Sequence, residues 1–282
     1  MRKGDGSLVV FTVLSQWSVG ITVCLAGIAV ADSSAMEIGP GLAICVLFAL
    51  ILIVAATTVS FLHLGNPVNA PKAMRNLATS WLSREILAIG LYSLCLFATL
   101  VFAWIAGSTA YPRYLLLANS VAGLFLVWAM ARVYRIPTIP SWNSGFTLLG
   151  FLSTSLSLGL VTCLLVDALS VFSLADGTRT FLTGLLTAVL VLEIGAGFVN
   201  QGRLASMDTG IDGPSFGRGF LYKLFLARMA VVFLACLVLG YFVFGSELTA
   251  GTAWLFVVAV LVVLQEIAGR VLFYSSYFRI GM

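Results

Sequence analysis

The stretch GLAICVLFALILIVAATTVSFL, residues 41–62, contains no charged side chain. A helix rises 1.5 Å per residue, so about 20 such residues cross the ~30 Å hydrocarbon layer of a bilayer. A barrel strand would need only ~10, with polar residues alternating. Comparable runs recur near 8–31, 85–106, 114–134, 146–166, 181–199, 220–244 and 252–274. In lipid every backbone polar group must be satisfied internally, and helices do this segment by segment. The expected fold is an all-α integral membrane protein, a bundle of eight transmembrane helices.

Composition agrees. Of 282 residues, 61% are hydrophobic and only 9% charged, against roughly a quarter charged in a soluble domain. The connections are short, and nothing outside the runs is large enough to bury a soluble core. Residues 1–282 therefore read as one polytopic membrane domain, with aqueous chemistry left to a partner and no nucleic-acid role. Met1-Arg2-Lys3 and the run ending Ala29-Val30-Ala31 have the outline of a secretory signal. That run exceeds the usual 7–15 residues, however, and Gln16 and Trp17 interrupt it, so it is read as the first span. Cys24, Cys45, Cys95, Cys163 and Cys236 fall inside apolar runs without C-x-x-C spacing. They read as small buried hydrophobes, and no disulfide framework or metal site is expected.

Eight spans put both termini on one side. That side gathers Arg2, Lys3, Lys72, Arg75, Arg132, Arg135, Arg203, Arg218 and Lys223, while the other holds only Arg113 and Arg179 among acids such as Asp32, Glu37 and Asp167. By the positive-inside rule the basic side is cytoplasmic. Alternatively, several of these arginines serve a ligand or a docked subunit, and the count overstates the bias.

The two halves echo one another. Phe11-Thr12-Val13-Leu14 opens span one and Phe146-Thr147-Leu148-Leu149 opens span five; Ala131-Arg132-Val133-Tyr134 ends span four and Gly269-Arg270-Val271-Leu272 lies near the end of span eight. Two four-helix halves, 1–140 and 141–282, related by an axis along the membrane normal, would account for this. Short matches in an apolar alphabet also arise by chance.

The polar punctuation is concentrated in SFLHLGNPVNAPKAMRNLATSWLSRE, residues 60–85. His63, the only histidine, ends span two and Glu85 starts span three, so the connection holds both at one membrane face. In a helix starting near Ser80, Trp81 and Glu85 share a face and Ser80 and Arg84 a neighbouring one. Taken singly, a histidine at a helix end is ordinarily interfacial, and a glutamate in a first turn complements the helix dipole. Ionisable residues at membrane depth are usually functional, however, and Gly65, Asn66, Pro67 and Pro71 specify an ordered turn, which favours function for the pair.

One histidine excludes a conventional bis-histidine di-haem anchor, and a haem would have to invoke unusual methionine ligation instead. Quinol oxidation suits one imidazole and one carboxylate, because the ring oxygens need hydrogen-bond partners and two protons must be accepted. With no haem to relay electrons, the His63 face should dock an iron–sulfur protein.

At this point the motifs carry a resemblance. FLHLGNPVNAPKAMRNLATSWLSREI, VWAMARVYRIPTIPSWNS at the end of span four, and the C-terminal EIAGRVLFYSSYFRIGM resemble the membrane anchor subunit of bacterial dimethyl sulfoxide reductases, the DmsC family, essentially end to end. The resemblance implies a haem-free, eight-helix subunit of the bacterial inner membrane that oxidises menaquinol in anaerobic respiration. It also implies a four-cluster iron–sulfur subunit and a molybdopterin catalytic subunit as partners. The family's quinol-site histidine falls on His63 and its essential glutamate on Glu85; Arg84 matches less firmly. Related polysulfide reductase subunits share the eight-helix plan. Catalytic subunits of this family often bear a twin-arginine export signal, which would put the docking face outside, opposite to the charge count.

Other polar residues are secondary. Arg132, Tyr134 and Arg270 are candidates for the quinone, with contact to lipid phosphates or the partner preferred. Gln16 lines the pocket or satisfies an interhelical bond. Glu193, Gln265 and Glu266 are assigned to helix ends, where snorkelling or dipole effects dominate. Trp104, Tyr111, Trp128 and Trp142 read as interfacial belt residues. The rival class is a transporter or proton-conducting subunit, which should place charge or broken helices at mid-bilayer; here ionisable residues are expected near the span ends. A purely structural anchor is the third possibility.

Overall fold

A computed structural model describes residues 5–31, 40–61, 76–105, 111–207, 218–244 and 252–278. It contains eight helices long and apolar enough to cross a membrane. They are α1 (Asp5–Ala31), α2 (Pro40–Phe61), α3 (Trp81–Ile105), α4 (Tyr111–Tyr134), α5 (Gly145–Ala168), α6 (Asp176–Ser206), α7 (Gly219–Phe244) and α8 (Thr252–Ser275). No strand occurs among the described residues, so the eight-helix expectation is met. The largest difference is α6, which begins before and ends after its apolar run. Its polar ends are helical because specific bonds hold them: Arg179 pairs with Asp167 at 2.6 Å, and Arg203 donates to the carbonyls of Pro140 and Ser141 at 3.0 and 3.1 Å. Hydropathy measures solvation in lipid and says nothing of such anchors.

The packing order is regular. Helices α1–α4 form a closed ring in which α1 touches α2 and α4, and α3 touches α2 and α4; α5–α8 close in the same order. The rings meet chiefly along α1 and α5, with flanking contacts between α1 and α8 and between α4 and α5. Helix α1 is accordingly the most buried span.

Lipid tails are as apolar as leucine, so helices associate through close van der Waals contact and interhelical hydrogen bonds. Gly20 and Gly159 supply the close contact. A Cβ on Gly20 would overlap the Ser155 carbonyl oxygen, and one on Gly159 would overlap the Gly20 backbone. Polar ties lie beside it. Tyr92 of α3 meets Ser18 and Thr22 of α1 at 3.0 and 3.2 Å, and Ser18 donates to the Ala49 carbonyl of α2 at 2.7 Å. Large hydrophobics such as Leu94, Phe97, Trp104, Val121 and Phe233 are exposed on the perimeter, where acyl chains would cover them.

Gly20→Val should therefore force α1 from α5 and destabilise the bundle by more than ~3 kcal/mol, the upper range for overpacking. Gly27→Ala, where a Cβ meets nothing within 4 Å, should be neutral. Thermal unfolding in detergent micelles compares the two.

Candidate functional site

The start of α3 is shaped by local hydrogen bonds. Ser80 Oγ accepts from the Ser83 amide at 3.3 Å, a helix N-cap. Arg84 turns back toward the preceding segment, its Nε donating to the Leu77 carbonyl at 2.9 Å and its Nη2 to that of Ala78 at 2.7 Å. Its guanidinium then lies 4.2 Å from the Trp81 ring centre, and that of Arg132, at the end of α4, lies 4.9 Å from the same ring. Trp128 meets Trp81 edge-on at 4.7 Å. Cation–π contacts of this kind fix an aromatic plane.

One turn along α3, Glu85 is only 4% exposed, and its Oε1 takes no hydrogen bond. Withdrawing a carboxyl from water without satisfying it costs several kcal/mol, so this atom calls for an explanation. Within its electrostatic reach lie the hydroxyls of Tyr134 and Tyr274, which are hydrogen-bonded to each other at 2.9 Å across the seam between the rings. Around them Trp142 stacks on Phe273 at 5.3 Å and donates to the Phe273 carbonyl at 2.7 Å. Trp142 is thus part of an aromatic cluster at the ends of α4, α5 and α8. Trp104, near the end of α3, is 80% exposed. The structure brings Trp81, Arg84, Glu85, Arg132 and Tyr134 to one end of the first ring. His63 lies outside the described residues.

Gln16 is placed elsewhere, in a polar layer that sequence reasoning missed. Its Oε1 accepts from Arg270 Nη2 at 2.7 Å, an atom also within hydrogen-bond distance of the Gly150 carbonyl and Thr154 Oγ1. The guanidinium lies 3.9 Å from the Phe151 ring centre. Glu266 accepts from Thr154, Ser157 and Gln265 at 2.6, 2.6 and 2.8 Å. Arg228 donates Nε to Gln265 at 3.1 Å and pairs through Nη2 with Glu193 at 3.1 Å. Gly269 makes room for this guanidinium, since a Cβ there would come within 2.8 Å of Arg228 Cζ. Arg228, Glu193 and Glu266 lie ~14–20 Å along their helices from the basic face, at 1.5 Å per residue.

This corrects the assignment of Glu193, Gln265 and Glu266 to helix ends, and of Arg270 to lipid or partner contact. Glu193 is 5% exposed, Gln265 and Glu266 1% each and Arg270 4%. The signal was present in the i, i+4 spacing of Glu266 and Arg270, which puts both on one helix face. Which face turns inward is a matter of packing. The two guanidiniums and two carboxylates balance, as burial at this depth demands.

Removing one partner of a buried pair strands the other. Arg228→Met should destabilise the bundle by about 3–5 kcal/mol, and adding Glu193→Leu should recover part of the loss. A double-mutant cycle on thermal unfolding in detergent measures the coupling.

Comparison with known proteins matches this architecture. The model of the DMSO reductase anchor subunit (DmsC) family covers residues 3–276. The anaerobic dimethyl sulfoxide reductase polypeptide YnfH of Escherichia coli K12 is 30% identical over 98% of this chain and 95% of its own length. The C polypeptide of the same organism's anaerobic dimethyl sulfoxide reductase is 27% identical over 98% and 96%. The C polypeptide of the sulfite dehydrogenase of Allochromatium vinosum matches 38% of this chain and 36% of itself at 30% identity. A match that runs through all eight helices places the chain in a family, and the family to which it belongs is that of the DMSO reductase anchor subunits.

Proposed function

We propose that this chain is the haem-free, quinol-oxidising anchor of a dimethyl sulfoxide reductase-type molybdoenzyme complex. It passes electrons from menaquinol to a four-cluster iron–sulfur subunit, and thence to a molybdopterin catalytic subunit, at the bacterial inner membrane. The observation that carries the reading is the orphaned Oε1 of Glu85, buried one turn from a tryptophan that two arginines approach at 4.2 and 4.9 Å. Family membership supports the complex. The ring-on-ring packing supports reading residues 1–140 and 141–282 as two related halves.

The residues fit a quinol head group. Its ring needs an aromatic wall and a hydrogen-bond partner for each oxygen; Trp81 supplies the former, and Glu85 with the Tyr134–Tyr274 hydroxyl pair supplies polar atoms. Oxidising a quinol releases two electrons and two protons. Glu85 Oε1, with no competing donor, accepts one proton, and His63 is assigned the other. Arg84 and Arg132 hold the plane of Trp81, and the unpartnered Nε2 of buried Gln16 offers a donor nearer the seam.

A second reading has one observation in its favour. The charged layer of Arg228, Glu193, Glu266 and Arg270 lies where a transporter or proton-conducting subunit would carry charge. Against it, helices α5–α8 are unbroken at that level and their guanidiniums are already committed to partners.

Glu85→Gln should leave the membrane complex assembled and its dye-driven reductase activity intact. Menaquinol-analogue oxidation should fall at least about 100-fold, the scale of a lost general base. His63→Ala should behave alike. Unchanged quinol oxidation in both variants would place the site elsewhere.

A further inference from the structure

Ser144 stands at the N-cap of α5 without capping it. Its backbone is extended (φ −146°, ψ 165°), as an N-cap requires, yet its side chain makes no capping bond. The Oγ atom is buried and takes part in no hydrogen bond among the described residues, and the same holds for Ser141 Oγ just before it. Ser141 is only 5% exposed, which makes an unpaired hydroxyl costly. Both serines line a crevice of about 130 Å³ between α5, α6, α7 and α8, with Phe146, Asn200, Leu221 and Phe225 among its other walls. Buried hydroxyls are rarely left without a partner, and two of them on one small cavity point to a group that fills it.

The groups left over at this place are donors. The amides of Gly145 and Phe146, first in α5, precede the helical ladder and carry the positive end of its dipole. Asn200, near the end of α6, accepts with Oδ1 from Arg203 Nε and Nη2 at 3.1 and 2.8 Å. Its Nδ2 is therefore the atom left to donate. Arg203 also donates to the carbonyls of Pro140 and Ser141 at 3.0 and 3.1 Å, which fixes its charge beside the serines. Among the described residues no carboxylate pairs with it.

The acids of this ring are engaged deeper in. Glu266 accepts from Thr154 and Ser157, and Thr154 lies ~15 Å beyond Ser144 along the helix axis at 1.5 Å per residue. Arg270 shares Thr154 with Glu266, and Glu193 pairs with Arg228. The start of α5 thus has positive charge, several donors and no acid. Such a helix N-terminus asks for an anion. Donors arriving from two serines, an asparagine and the helix amides suit the tetrahedral oxygens of phosphate better than a planar carboxylate, and the cavity holds one such group and no ring system.

We propose that the start of α5 is a phosphate site. Ser141, Ser144, Asn200 and the Gly145 and Phe146 amides donate to the phosphate oxygens, and Arg203 balances the charge. The phosphodiester of an anionic phospholipid and inorganic phosphate share this chemistry. The site has no residue in common with the quinol reading.

The test uses the purified membrane complex, stripped of lipid in dodecyl maltoside and titrated separately with dioctanoyl phosphatidylglycerol, inorganic phosphate and, as a phosphate-free control, dioctanoylglycerol. Binding is read as the rise in unfolding temperature with ligand concentration, and bound lipid is counted by native mass spectrometry. Saturable stabilisation is expected from a phosphate-bearing ligand and not from dioctanoylglycerol, and the tighter of the two phosphates names the source. Ser141→Ala removes one donor to a charged group and should weaken binding about tenfold. Ser144→Asp caps the helix, so α5 stays folded, and places a carboxylate in the site; it should weaken binding further. Glu85→Gln should leave it unchanged. No response to either phosphate beyond that of dioctanoylglycerol overturns the site and leaves water as the partner of the serines. A response equal in wild type and Ser144→Asp overturns it as non-specific.

Discussion

The bundle depends on how closely α1 approaches α5. With Gly20 and Gly159 facing each other the two backbones touch, and no other residue fits at either position. Lipid provides no hydrophobic force to draw helices together, so such contact is the main source of cohesion. Once α1 is seated it reaches four neighbours. Ser18 and Thr22, either side of Gly20, receive Tyr92 from α3. Gln16, one turn away, meets Arg270 from the opposite ring.

Two kinds of buried polar group follow, and they differ in how fully they are satisfied. The oxygens of Glu266 are taken up by Thr154, Ser157 and Gln265, and Arg228 bridges Gln265 and Glu193. Such bonds make burial tolerable and hold α1, α5, α6, α7 and α8 in register, because shifting any helix by a turn would strand a charge. Glu85 has no such company at Oε1.

Helices α3, α5 and α7 begin where α4, α6 and α8 end, so Glu85 and Tyr134 lie toward one end of the bundle. The Tyr134–Tyr274 hydrogen bond joins the two rings at that end.

The number of spans, the all-α class and the polar cluster around Glu85 were legible in the sequence, because solvation in lipid constrains composition residue by residue. Apolar runs of span length can form little else, and a carboxylate beside Trp81 and Arg84 stands out against such a background. The helical ends of α6 were not legible, since they rest on bonds from Arg179 and Arg203 to distant residues. Nor was the inward turn of Glu193, Gln265, Glu266 and Arg270. All-round apolar helices carry little amphipathic signal, so composition does not say which face meets protein and which meets lipid. That choice was made by tertiary packing, where small residues let backbones approach and paired charges find one another.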